Sequence, residues 1–256
     1  MRIVIAFKIG LIFLFAFSII STKAIANPDL EPSESKPSSL SINIGPSFPV
    51  GDFKKSTGQL DGSGYAKTGF CTNITYDQKL YKCFGIIALL GGQVNSYSKD
   101  YQDKQSINAT NWYSSEFLIG PRYCFELGEY SVIVPHILFG LSNQSSPQIT
   151  TIQTNGLSEI YSKNENAFGF GYLAGITLKC NVYKHLLLLL NADYYATKAT
   201  FSVNSDLSQL RYGQLGVYYG KTDLVTTNVS NSFIVNQKIV QNISTFNTTI
   251  GIGFAF

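Results

Sequence analysis

A period-two alternation of apolar and polar residues recurs along the chain, broken by turn-forming residues. That spacing predicts strands rather than helices. Eight segments are expected: 40–48, 64–76, 82–94, 112–127, 130–141, 167–179, 186–201 and 242–256. In the first, Leu40, Ile42, Ile44 and Phe48 share a face. In the sixth, Phe168, Phe170, Tyr172, Ala174, Ile176 and Leu178 oppose Gly169, Gly171, Gly175 and Thr177. The last alternates Ile250, Ile252, Phe254 and Phe256 with Gly251, Gly253 and Ala255. The faces opposite the apolar stripes are thus small, polar or singly charged. A water-soluble sheet would put Lys and Glu there. A barrel with lipid outside and side chains packed in its lumen inverts the pattern.

The connections alternate in length. Those after the second, fourth and sixth strands are short (77–81, 128–129 and 181–185). Those after the first, third, fifth and seventh are long and polar (49–63, 95–111, 142–166 and 202–241). Short periplasmic turns and long extracellular loops are the rule for membrane barrels. Tyr76, Tyr81, Tyr123, Tyr130 and Tyr183 lie near strand ends, where interfacial aromatics belong. The expected fold is all-β, an antiparallel up-and-down transmembrane β-barrel of eight strands. Ten remain open, because 215–219 and 233–240 in the last long connection are themselves apolar; the alternative is an extracellular hairpin prolonging its two flanking strands.

Composition agrees with a lipid-facing protein. Only 14% of the 256 residues are charged and 45% are hydrophobic, against about a quarter charged in ordinary soluble domains. Residues 1–26 read as a signal peptide: Arg2 and Lys8, an apolar core over 9–20, and the small-x-small site Ala24-Ile25-Ala26. That core is short of the roughly 20 residues a spanning helix needs. Residues 27–39, rich in Pro, Ser and Glu, read as a flexible periplasmic leader, and 40–256 as the barrel. Arg2, Lys8 and Lys23 account for the whole formal charge of +3. Beyond 26 the chain is formally neutral, so charge gives no reason to expect nucleic acid as a partner.

The segments Gly45-Pro-Ser-Phe-Pro-Val-Gly-Asp-Phe53, Leu118-Ile-Gly-Pro-Arg-Tyr123, the glycine-rich sixth strand and Ile250-Gly-Ile-Gly-Phe-Ala-Phe256 resemble the small outer-membrane β-barrel proteins of the OmpA/OmpX-like group, especially those of Bacteroidota. The resemblance covers 38–256. It implies a structural or surface role. It also implies that Ile250, Ile252, Phe254 and Phe256 act as the signal read by the outer-membrane assembly machinery. Outer-membrane lipid and that machinery are the expected partners, and the polar long loops suit contact with an extracellular ligand.

Candidate chemistry is sparse. Glu116, Arg122 and Glu126 share the inward face of the fourth strand and Asp193 that of the seventh, an arrangement expected to plug a narrow lumen with ion pairs. Of the four cysteines, Cys71 and Cys83 flank one turn with the same parity and are candidates for a disulfide; Cys124 and Cys180 would be left as the other pair, with opposed parities. No CxxC spacing suggests a metal. His136 and His185 are the only histidines, and neither assembles with a nucleophile and an orienting group. No catalytic, cofactor or metal site is therefore expected. A lipid-modifying enzyme built on His136 and a small-solute channel are the alternative functions.

Overall fold

The computed structural model describes residues 38–55, 63–98, 105–128, 130–153, 159–162, 164–208, 225–229 and 232–256. The expected signal segment 1–26 and residues 27–37 of the expected leader lie outside these, as does the apolar stretch 215–219. Ser38 and Ser39, assigned to the leader from the sequence, are the first residues of a strand.

Eight strands form the frame: β1 (Ser38–Pro49), β2 (Ala66–Tyr81), β3 (Phe84–Tyr97), β4 (Trp112–Tyr123), β5 (Ser131–Ser145), β6 (Asn166–Tyr183), β7 (Leu186–Ser208) and β8 (Ser232–Ala255). Each pairs antiparallel with the next. β8 then pairs with β1, through Leu40 opposite Phe254 and Ile44 opposite Ile250. The sheet is closed and no edge remains within the ring, which is what lipid demands of backbone N–H and C=O groups. A short continuation of β4, Phe125–Gly128, extends along β5.

Residues 233–240 belong to β8 and pair with β7, whose ladder runs on to Ser208 opposite Ser232. The long hairpin thus prolongs two barrel strands instead of adding a ninth and tenth. Above the rim, Glu159–Ser162 pairs with β7 and Val225–Val229 with β8; Ile149–Gln153 pairs with Glu159–Ser162, and Gln105–Ala109 pairs with Ile149–Gln153. These join the rim as a sheet on the long-loop side.

The turns at the other end are tighter than the sequence suggests. Tyr81 opposes Phe84 and Tyr183 opposes Leu186, so Lys82-Cys83 and Lys184-His185 are two-residue connections. Lys82 and Lys184 take φ of 47° and 37°, the left-handed values that hairpin turns of this length use. Each ammonium lies over the preceding tyrosine ring, at 5.3 and 5.4 Å.

The outward face is apolar around the ring: Leu40 and Ile42 on β1, Phe70 and Ile74 on β2, Phe117 on β4, Phe139 and Leu141 on β5, Phe168 and Phe170 on β6, Ile252 and Phe254 on β8 are all exposed. A continuous apolar band of this size is unsupportable in water and is matched by hydrocarbon. The protein is an eight-stranded transmembrane β-barrel.

Two Gly-Pro steps shape the wall. At Gly45-Pro46 and Gly120-Pro121 the pairing with the neighbouring strand skips a rung pair, since proline has no N–H to give. A Cβ on Gly45 would run into the Thr248 carbonyl and one on Gly120 into that of Ile137. Only glycine permits the close strand approach at these two bends.

Candidate functional site

The lumen holds every buried polar group described below, and three zones divide it from end to end. Near the short-turn end, inward parity along β2 carries Asp77, along β4 Arg122 and along β6 Lys179. Asp77 Oδ1 accepts from Arg122 Nε at 2.9 Å, and its Oδ2 accepts from Lys179 Nζ. Asp77 and Arg122 are almost wholly buried and Lys179 nearly so. One carboxylate therefore ties three non-adjacent strands across the bore. Arg122 also donates to the Cys83 carbonyl at 3.3 Å.

In the middle, one side is apolar and the other amide- and hydroxyl-lined. Ile87 and Leu89 of β3, Leu118 of β4, Val132, Val134 and Leu138 of β5, and Leu173 of β6 pack as one cluster with Tyr195. Facing them, Asn191 donates to Asn43 (3.1 Å) and Thr249 (2.8 Å), and Asn43 donates to Asn73 (2.7 Å). Higher up, Gln93 Oε1 accepts from Ser47 and Thr245. The expectation of a small and polar inner face is thus corrected for β3–β6: an eight-stranded bore is too narrow for water to fill, so the interior packs partly as an ordinary apolar core.

At the boundary of the two sides, His136 Nε2 is 3.2 Å from Asp193 Oδ1, while its Nδ1 meets the Val134 carbonyl at 3.1 Å. The geometry does not make this a hydrogen bond, and Asp193 Oδ1 has no hydrogen-bond partner. Glu116 is buried and accepts from Ser114 at 3.1 Å; Gln144 donates to Ser114 (2.7 Å) and to Tyr195 (3.1 Å).

The long-loop end is closed by aromatics. A short helix α1 (Gly51–Lys54) follows β1 and drops Phe53 into the mouth, where it is 1% exposed. Phe53 meets Trp112 edge-on at 5.5 Å and Trp112 meets Phe201 at 5.9 Å. Ala66, Ala167, Ala199 and Ile243 complete the plug. The Trp112 indole N–H donates to the Gly64 carbonyl at 2.9 Å, so the one polar atom of the plug is paired. Among the described residues a cavity of about 20 Å³ lies beside Asn43, Asp77, His136, Lys179, Asn191 and Asp193, room for about one water.

Of the expected lumen residues, Glu116, Arg122 and Asp193 are buried inside, but they do not join one another: each has a different partner. Glu126 is a correction. It has inward parity, opposite Val132, but stands beyond the packed bore on the β4 continuation and is exposed. Parity assigns a face; it does not assign a height. Asp77 and Lys179, which hold the brace, escaped the sequence reading because Asp77 was placed in a turn and Lys179 at a strand end. Carrying the alternation of Cys71, Asn73 and Thr75 one step further would have found Asp77.

The glycines have a second role here. A Cβ on Gly85 would strike the Arg122 guanidinium, one on Gly175 the Asp193 carboxylate and one on Gly91 the Glu116 carboxylate. Each of these three side chains sits in room left by a side chain that is absent on the adjoining strand.

The Cys71–Cys83 disulfide is also corrected. Cys71 is not bonded to Cys83. Cys71 lies opposite Gln93 while Cys83 lies in the turn beyond Tyr81. Ten residues of strand separate them, about 33 Å, against a Cα separation of roughly 7 Å at most for a bridge. The expected Cys124–Cys180 pairing fails on faces: Cys124 is inward in the apolar cluster, and Cys180 takes the Ser131 hydroxyl at 3.5 Å on the other side of the wall. His185, in the second two-residue turn, contacts the Ala255 carbonyl at 2.7 Å and stacks on Phe254. Among the described residues no group of three His, Cys, Asp or Glu side chains lies close enough to hold a metal.

The class this defines is a small membrane barrel with a filled and plugged lumen. No family model and no curated protein matches the chain. Among solved structures, it is similar to Ail, the attachment invasion locus protein of Yersinia pestis, at 13% identity over 86% of this chain and 99% of that one, with a TM-score of 0.41. Neisserial surface protein A is 12% identical over 86% and 97%, with a TM-score of 0.40. The outer membrane protein OprG of Pseudomonas aeruginosa is 12% identical over 86% and 98%, with a TM-score of 0.43.

Proposed function

We propose that this chain is exported by its signal segment, inserts in the outer membrane of a Gram-negative cell of the OmpA/OmpX-like kind, and serves there as a non-catalytic barrel with a structural or surface-interaction role. The carrying observation is a closed ring with an apolar outer face and a bore filled from end to end. Lipid is its solvent, and the long polar loops are what it offers to an extracellular ligand.

A base acting on lipid must stand at the lipid boundary; His136 is buried in the lumen against Asp193. A solute path must be continuous; among the described residues the aromatic plug stands across it at one end and the Asp77 brace at the other. Both observations favour the non-catalytic, non-conducting reading over a lipid-modifying enzyme or a channel.

Membrane fractionation with a heat-modifiable gel shift is the test. The expected result is recovery in the detergent-extracted outer membrane, with unboiled protein running faster than boiled. Soluble periplasmic protein without the shift would sink the reading. His136→Ala is expected to leave outer-membrane lipid composition unchanged, and planar bilayers to show no discrete conductance. The terminal Ile250, Ile252, Phe254 and Phe256 stripe is the proposed assembly signal; Phe256→Ala should reduce the inserted fraction severalfold while a substitution at exposed Leu80 does not.

A further inference from the structure

We propose that Cys83 and Cys124 form a disulfide at the short-turn rim of the barrel, converting the β3–β4 hairpin into a covalent ring. The sequence places Cys83 in the third expected strand and Cys124 in the fourth and does not pair them. The ladder brings them together. Phe84 opposes Tyr123, and one rung further Cys124 N–H donates to the Cys83 carbonyl at 3.0 Å. The Phe84 and Tyr123 rings meet edge-on at 5.0 Å on the outer side, so the next residue on each strand turns to the inner side. Cys124 is there in the apolar cluster, and Cys83 packs against that cluster.

Directly opposed antiparallel residues have Cα atoms about 4.5–5.5 Å apart, within the roughly 4.4–6.8 Å that disulfides span. Neither remaining thiol competes: Cys71 is opposite Gln93, and Cys180 is opposite Ser131 and Leu188.

The inference rests on the outer-membrane reading, which places this rim in an oxidising compartment. The oxidant is a periplasmic dithiol–disulfide oxidoreductase in its disulfide form. Cys83, half-buried at the turn, attacks as thiolate and forms a mixed disulfide, releasing one oxidant thiolate. Cys124 then loses its proton and displaces the second. Two protons and two electrons leave this chain, one S–S bond forms in it, and one S–S bond in the oxidant is reduced to a dithiol.

The test is to express the full chain with export, quench cells in acid, alkylate free thiols under denaturing conditions, and measure intact mass on the outer-membrane and soluble fractions separately. Two alkyl groups are expected, with a Cys83–Cys124 linked peptide after digestion. Cys83→Ser and Cys124→Ser should each carry three alkyl groups, and Cys71→Ala and Cys180→Ala one. Four alkyl groups on heat-modifiable outer-membrane protein would overturn the bridge and leave the membrane reading intact. Bridged protein found only in the soluble fraction would overturn the membrane reading and retain the bridge.

Discussion

The two ends of the lumen are sealed by opposite chemistry. At the short-turn end, charge closes the bore: Asp77 holds Arg122 and Lys179 from two other strands. At the long-loop end, apolar contact closes it: Phe53, Trp112 and Phe201 stack edge-on beneath α1. The difference is one of where the parts come from. The brace is made only of barrel strands, so it cannot open without the wall opening. The plug takes Phe53 from a helix of four residues outside the ring and packs it on Trp112 and Phe201 of the wall. The brace is therefore expected to bear on the stability of the whole barrel and the plug on local access at its mouth.

The comparison breaks first at Asp77. Asp77→Ala leaves two buried cations without their carboxylate and should cost about 3–5 kcal/mol, read from urea unfolding of the lipid-inserted barrel by its gel shift. Replacing all three members with apolar residues of similar volume should recover most of that loss, because the penalty lies in the orphaned charge. If Asp77→Ala were as stable as wild type, the brace would not be structural.

A smaller loss is expected for Gly85→Ala, whose Cβ would meet the Gln78 carbonyl as well as the Arg122 guanidinium. Overpacking at such a site costs about 1–3 kcal/mol, and it should be non-additive with Asp77→Ala, since both act on the same ion pair.

Phe53→Ala should behave differently. It empties the plug but leaves the ladders alone, so the global unfolding midpoint should hardly move. Protease cleavage after Lys54 and Lys55 should instead rise by about tenfold, the equivalent of about 1.4 kcal/mol of local stability. A global loss as large as that of Asp77→Ala would mean that plug and brace are one cooperative unit.

The smallest effect is at Asp52 on α1. The hydrogen bond and charge of Lys55, 2.5 Å away, hold its carboxyl below the ordinary value of 3.8. A lowered carboxyl contributes stability above its unfolded value and loses it as pH falls through the folded one. Both groups are largely exposed, so the contribution to folding is slight. An NMR titration of Asp52 should give a midpoint under 3.8, moving back toward it in Lys55→Gln.

The outward stripe was legible in sequence because lipid imposes one requirement on that face, so apolar residues recur along it from Leu40 to Phe254, with a few polar ones such as Thr72 and Asn242 among them. The inner face was legible only as an absence of large apolar residues, and there it misled: Val132, Val134 and Leu138 are core, not lumen lining. Strand ends were misplaced at Tyr81 and Tyr183 because the tight turns use lysine rather than glycine at positive φ. Glu126, and the pairing of Cys71 with Cys83, failed because alternation carries no information about height along the barrel.

The sequence by itself determined that the chain forms strands with an apolar outer face and alternating short and long connections, and left their number at eight or ten. Period two and the chemistry of lipid are local constraints, written residue by residue. Only the tertiary structure decided which polar groups meet. Asp77 finds Lys179 from 102 positions away, and Asn43 finds Asn191 from 148, because closure and register bring strands face to face across the bore. Those two quantities belong to the ring as a whole and to no segment of it.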